Sequence, residues 1–386
     1  MKVALIRKEY VALRGGAERY AVNLARGLAE RGHDVHIFAG IWEDTQNKNI
    51  TFHRVPYNKS PSPLKNFSFQ RNARKLVASG EFDIVNGLSQ VFPQDVYRVG
   101  EPLHIHWLRA YVPNPRKRLA KYLSPRHQML LSIERNIFKK CNYRRIIVNS
   151  QLCRNQIINY YGVPEEKISL VRNGVDLSIF TAEMRAQTRA GVRQSLNISE
   201  HDTVLLFAGN DFKRKGLQFA VKCVEDLKAL GHTTTLLVAG RGSPAPFLRI
   251  AKKRGFSNIL HFLGGVSDIR ELYYAADMLI HPALYDPFSN ACLEAMACGL
   301  PVVTTRLNGA AEIIAHGVSG IVINAPEEVE KMVSEIINLL GFNRSCLSSM
   351  SEMATLRAKD FPVAANVEKT LAVYRDILDE KRGTPA

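Results

Sequence analysis

The stretch HPALYDPFSNACLEAMACGLPVVTT (residues 281–305) reads as a strand end, a loop, a short helix and a second strand. The apolar run MLIH (278–281) leads into it, and Pro287 sits where a first helical residue tolerates a missing N–H. Gly299 closes the helix, and Pro301-Val302-Val303 begins a buried strand. The free N–H groups at the mouth of such a helix point outward and suit an anion, a phosphate above all. Glu294 lies more than a turn further in, where it would repel a phosphate but could grip the hydroxyls of a ribose. Asp286 stands in the loop eight positions earlier. The combination suggests a nucleotide-sugar site, although an ordinary strand–helix turn with two solvated acids would give the same pattern.

Outward from this stretch the same alternation continues. Before it come a strand at 203–209, the charged loop NDFKRKG (210–216), a helix at 217–230 and strands at 234–240 and 259–265 separated by a helix at 245–254. After it come a strand at 320–324 and helices at 326–340 and about 364–381. The first half starts with a strand at 2–6, a loop with Gly15-Gly16, a helix at 17–31 and a strand at 35–40. The glycine pair fits neither GxGxxG nor a Walker loop, and alone is a weak signal. Strands follow at 50–55, 83–86 and 145–150, with a loop at 56–63, a helix at 67–79 and a β-like stretch at 95–111. The 169–180 stretch supplies a strand and a turn, with Asn173-Gly174 suited to positive φ. Helices and strands alternating in this way predict an α/β chain of parallel sheets covered on both faces. Length and a polar, strandless run predict two domains, 1–180 and 203–360, a linker at 181–202, and a C-terminal helix (361–386) returning to the first domain. Ligands of such sheets bind at the carboxyl ends of strands, where the loops at 15–16, 210–216, 264–268 and 281–290 all fall. Two doubly wound domains with those edges facing each other would form a cleft.

The chain has 386 residues and a formal charge of +16, from 52 Lys and Arg against 36 Asp and Glu. Such an excess favours an anionic partner. Between Arg109 and Arg145 eleven basic residues accompany one acid, Glu134, with aromatic and aliphatic residues interleaved. That mixture suits an anionic membrane surface or a phosphorylated glycolipid; a solvated basic helical arm is the plainer alternative. The chain opens straight into a strand, and no run approaches the ~18 apolar residues of a spanning helix. The six cysteines are scattered, with no CxxC pair and no His at metal spacing. The expected location is the cytoplasm, peripheral at the inner face of the cytoplasmic membrane.

Several ordered motifs, GNDFKRKG (209–216), VSDIRELYYAADMLIHPA (266–283), DPFSNACLEAMACGLPVVTT (286–305) and RGGAERYAVNLARGLAERGHDVHIF (14–38), resemble the retaining GT-B glycosyltransferases of family 4. DVYRVGEPLHIHW (95–107) and the basic region after it are most similar to the lipopolysaccharide core heptose glucosyltransferase (glucosyltransferase I) group within that family. The resemblance implies two Rossmann-like domains, with Arg214 and Lys215 neutralising the donor diphosphate. It places backbone near Phe288, Ser289 and Asn290 against that diphosphate, Glu294 on the ribose, and Gly265 and Val266 at the base. Asp286 occupies the first acid of the family's E-x7-E pair, where Glu is usual. The shorter side chain withdraws the carboxylate by about 1.5 Å, which puts donor-sugar identity in doubt. Gly15 or Gly16 would let the chain close over donor phosphate and acceptor. Glu101, with His104, His106 and Arg109 nearby, would serve the acceptor.

The expected activity is transfer of a hexose, glucose from UDP-glucose, with retention onto an acidic glycolipid. The expected catalytic set is Glu101, Arg214, Lys215 and Asp286. The chain contains no DxD, so no metal and no cofactor are expected, and the two cations substitute. The expected partners are the donor, the glycolipid and an anionic membrane met through 109–145; nucleic acid is not among them. A nucleotide-sugar epimerase of the same architecture and a basic membrane- or nucleic-acid-binding protein are the alternatives.

Overall fold

The computed structural model describes all residues except 13–14, 44–46, 59–61, 92, 113, 342–343 and 384–386. Part of the expected 56–63 loop thus lies outside the described residues. The chain forms two units, Met1–Gly174 with Val363–Ala386, and Val175–Pro362.

The first unit is built on a seven-stranded parallel sheet. Its order across the sheet is Ile50–Arg54, Asp34–Ala39, Lys2–Ile6, Ile84–Gly87, Val96–Val99, Arg145–Val148, Ile168–Leu170. Lys2–Ile6 therefore lies between Asp34–Ala39 and Ile84–Gly87, and chain progression reverses there. The helix Gly16–Glu30 covers one face with Leu24, Ala25 and Leu28, the apolar stripe visible in the sequence. Val363–Arg382 packs on it and adds Val367, Leu371, Tyr374 and Ile377 to the same core. The two helices approach closely at Gly27, where a Cβ would sit 2.6 Å from the Val367 side chain.

The second unit holds a six-stranded parallel sheet ordered Leu260–Gly264, Thr234–Ala239, Thr203–Ala208, Met278–His281, Val302–Thr305, Gly320–Ile323. The reversal again falls beside the unit's first strand, between Thr203–Ala208 and Met278–His281. Thr234–Ala239 is buried at every position, which is why central strands of this kind read as unbroken apolar runs.

Four expectations are corrected. The stretch 181–202 is no linker: it contains the helix Arg185–Ser195, and the units divide at Gly174 and Val175 rather than at 180. Arg185, Arg189 and Arg193, one turn apart, reach the carbonyl end of Arg270–Ala275. Arg185 Nη2 donates to Ala276 O (2.6 Å), Arg189 Nη1 to Ala276 O (3.0 Å) and Arg193 Nη1 to Ala275 O (3.0 Å). Cations suit that end of a helix, and the three residues that bury this face look polar in the sequence. The 95–111 stretch is a strand, Val96–Val99, followed by a helix, His104–Tyr111. Neither Asn173 nor Gly174 takes positive φ; the Asn173 side chain accepts a hydrogen bond from Arg98. Finally, the helix after Asp286 starts at Asn290 with Ser289 as its cap, so Pro287 precedes the helix instead of opening it.

Candidate active site

In the second unit, the loops after Thr203–Ala208 and Met278–His281 flank the reversal in strand order, where doubly wound sheets bind ligands. The first carries Arg214 and Lys215 and the second Asp286. Lys215 Nζ and Arg214 Nη1 lie 3.2 and 3.3 Å from Asp286 Oδ2. Glycine makes this approach possible. A Cβ on Gly209 would sit 2.2 Å from the Lys215 side chain, and one on Gly216 would sit 1.8 Å from Pro282 O. Arg214 also donates to Tyr285 O (3.2 Å) and Asp211 Oδ2 (3.2 Å), tying the two loops together.

Asp286 is buried, which by itself would raise its carboxyl pKa, yet Lys215 and Arg214 hold it well below the usual carboxylate range. His281 Nε2 is 3.5 Å from the same oxygen. Burial, with Lys215 beside it, pushes this imidazole down to about 4, so it is neutral at pH 7. The Asp286 backbone is fixed by Asn308 and its neighbours: Asp286 N donates to Leu307 O, and Gly309 N to Asp286 O (2.9 Å).

The expected phosphate-capping backbone is partly committed elsewhere. Ser289 N donates to the buried Asn308 Oδ1 (3.1 Å), and the Phe288 ring belongs to the core. Glu294 lies on the helix Asn290–Ala297, largely buried, and accepts from Tyr273 OH (3.1 Å). Gly265 and Val266 follow the edge strand Leu260–Gly264, at the same carboxyl end of the sheet. Among the described residues no group of three or more His, Cys, Asp or Glu side chains is placed to hold a metal ion.

The first unit has a cavity of about 250 Å³ at its own reversal, lined by Arg7 and Lys8 after the first strand, Ser89 and Gln90 after the fourth, and Glu101. Arg7 Nη2 lies 2.6 Å from Glu18 Oε1 and 2.9 Å from Glu101 Oε1. Gly15 caps the helix that carries Glu18, and Gly16 opens it.

Residues 14–179 match the family described as Glycosyltransferase Family 4, and residues 189–352 match Glycosyl transferases group 1. The chain thus carries a family 4 and a group 1 glycosyltransferase domain, one in each half. It is 27% identical over 319 residues to the lipopolysaccharide glucosyltransferase WaaG of Escherichia coli K12, covering 82% of this chain and 84% of that protein. It is also 25% identical over 364 residues to an uncharacterized glycosyltransferase of Methanocaldococcus jannaschii, covering 89% and 90%. The crystal structure of WaaG, a glycosyltransferase involved in lipopolysaccharide biosynthesis, superposes with a TM-score of 0.82 at 26% identity over 97% of this chain and 99% of that one. The fold is accordingly GT-B, and the enzyme is a hexosyltransferase.

In this glycosyltransferase the three other residues expected at the acceptor do not join Glu101 in the cavity. They lie on the helix His104–Tyr111. His104 stacks on Trp107 and His127, with Nε2 2.9 Å from His127 Nδ1. His106 Nδ1 is 3.1 Å from Tyr160 OH, and the Arg109 guanidinium lies over the Tyr160 ring. Burial pushes both imidazoles down to about 4, helped by His127 and Arg126 at His104 and by Arg109 at His106. Both rings are packed among aromatic neighbours. Glu134, the lone acid of the basic stretch, is buried under this helix and accepts from the N–H groups of His104 and Ile105 and from Tyr161 OH. It supplies a carboxylate cap from thirty residues away, which explains why no start signal precedes His104.

Residues given no role by the sequence reading are thus Arg7, Glu18, His281, Asn308 and Tyr273. The glycine pair and the strand ends marked their loops; only tertiary pairing marks the side chains.

Proposed function

We propose that the enzyme transfers a hexose, glucose from UDP-glucose, with retention of configuration and without a divalent metal. The acceptor in this reading is an acidic glycolipid resembling a lipopolysaccharide core. The observation that carries it is the convergence of Arg214 and Lys215 on one buried carboxylate at the reversal in strand order. Lys215 alone brings three donors to this carboxylate, and two positive charges against one negative suit a nucleoside diphosphate, whose departure they would stabilise. Asp286, neutralised by two cations, is a poor nucleophile. Double displacement through an enzyme carboxylate is therefore disfavoured relative to attack by the acceptor on the face the diphosphate leaves, its proton passing to a departing phosphate oxygen. Glu294, held by Tyr273, meets the ribose, and Asp286 meets donor-sugar hydroxyls. The WaaG relative is named a lipopolysaccharide glucosyltransferase, which supports this choice of sugar and acceptor.

The basic region supports a peripheral place at the inner face of the cytoplasmic membrane. The helix Pro115–Leu123 exposes Leu119 and Leu123, one turn apart, among Arg116, Lys117 and Arg118. The helix Ser62–Ala78, which like Pro115–Leu123 packs against the helix Pro125–Phe138, exposes Leu64 and Phe67 beside Arg71 and Arg74. Apolar residues set in a basic field fit an anionic bilayer surface. Among the described residues no helix is long and apolar enough to cross a membrane.

The test is a donor screen with the purified protein, scored by nucleoside diphosphate release with and without heptose-bearing acceptors, in the presence and absence of EDTA. Acceptor-dependent UDP release from UDP-glucose that EDTA leaves intact is the expected result. Epimerised donor in the absence of acceptor would overturn the transferase reading, and EDTA-sensitive transfer would overturn its metal-free form.

A further inference from the structure

We infer that Arg7 is a positioning residue for the acceptor, and that the cavity it walls seats the reacting sugar by its hydroxyls and not by a phosphate; this rests on the transferase reading above. Arg7 follows the strand Lys2–Ile6 and is buried. Its Nη2 bridges Glu18 Oε1 (2.6 Å) and Glu101 Oε1 (2.9 Å), and its Nη1 donates to Leu88 O (2.7 Å). One buried cation thus holds two like charges side by side that would otherwise repel.

The Glu101 side chain is 63% exposed although one of its oxygens is tethered. A carboxylate fixed at one oxygen and open at the other is a directed acceptor for a sugar hydroxyl. Donors stand nearby: Lys8 Nζ, which donates to Asn66 Oδ1 (3.0 Å), and Gln90. The charges lining the cavity are Arg7 and Lys8 against Glu9, Glu18 and Glu101. A phosphate entering would meet three carboxylates, and the buried guanidinium is already shared between two of them. An uncharged polyol would find both donors and acceptors. The anionic part of the acceptor is then met elsewhere, by the basic helices.

The experiment compares steady-state kinetics of the full-length protein and its Arg7→Met, Arg7→Lys and Glu101→Gln variants. The acceptors are a soluble heptose-bearing core oligosaccharide and the same oligosaccharide after phosphatase treatment. Arg7→Met is expected to raise the acceptor KM about ten- to a hundredfold, the scale of a lost charge-assisted hydrogen bond, with the donor KM unmoved. Arg7→Lys should recover part of that loss, Arg7→Met should add little in a Glu101→Gln background, and the dephosphorylated acceptor should keep its wild-type kcat, since binding lost at the basic helices raises KM alone. An unchanged acceptor KM in folded Arg7→Met would overturn the positioning role. Should that variant not fold, unchanged acceptor KM in both Arg7→Lys and Glu101→Gln would do the same. Loss of turnover on removing the phosphate would overturn the hydroxyl assignment. A wild-type protein that consumes no nucleotide sugar with either acceptor would instead overturn the transferase reading itself.

Discussion

At the strand reversal of the second unit two cations, Arg214 and Lys215, flank one carboxylate, Asp286; at that of the first unit one cation, Arg7, is flanked by two, Glu18 and Glu101. The backbone frames are alike, parallel sheets that reverse beside their first strand. The ratio of charges is inverted. A doubly wound sheet supplies a place for a ligand without specifying its sign, and the loop residues decide it. Excess cation suits a leaving diphosphate, and excess carboxylate suits hydroxyl groups.

The largest expected effect comes from removing a cation on the second unit. Lys215→Ala should lower transfer by about a thousandfold, the scale of one lost transition-state donor, while the circular dichroism spectrum persists because Arg214 still pairs Asp286. A folded variant with full activity would break the contrast, because the cation pair would then be structural. On the proposed function, an acceptor's negative charge would fall to the basic helices. Reversing Arg116, Lys117 and Arg118 to Glu should weaken binding to anionic vesicles by more than about a hundredfold, since losing the three charges alone removes roughly 1 kcal/mol per basic residue. Unchanged flotation with the vesicles would return that arm to ordinary surface.

Asp286→Asn sharpens the comparison by stripping the second unit of its acid. It leaves two half-buried cations without their counter-charge, and denaturant midpoints should report a loss of about 3 kcal/mol. The pH dependence follows from the depressed pKa of Asp286 in the folded state. Its stabilisation is fully present above the unfolded value of ~3.9 and is lost as pH falls below it. Equal stability of variant and parent at pH 7 would show that the pairing contributes nothing. The smallest effect belongs to the histidines of the first unit. His104 and His106 have folded pKa values of about 4, below the unfolded ~6.5, so the unfolded chain takes up protons first on acidification. Stability should therefore fall between pH 6.5 and 4, by about 1–2 kcal/mol for each half-exposed ring once solvent screening is allowed for. His106→Gln should flatten the slope, and an unaltered slope would contradict the burial assigned to that ring.

What could be read in advance follows the range of the interaction. Apolar periodicity located most strands and helices because it is local, and the spacing of Arg214, Lys215, Asp286 and Glu294 marked the second unit's loops. Arg7 escaped notice because its partners lie eleven and ninety-four positions away along the chain. The 181–202 stretch resembled a linker because its buried face is made of arginines whose partners, the carbonyls of residues 275 and 276, have no signature in sequence. The helix His104–Tyr111 looked β-like for a similar reason, since its cap is Glu134.

The return of Val363–Arg382 to the first unit also carries a consequence for biosynthesis. Leu371, Tyr374 and Ile377 fill the same core as Val3, Leu5 and Leu24, yet they are translated only after every residue of the second unit. During synthesis at about 5–20 residues per second, the earlier-made unit waits with an unfilled hydrophobic face while the later-made one completes its sheet. The ribosome therefore finishes the two in the reverse of the order in which it begins them.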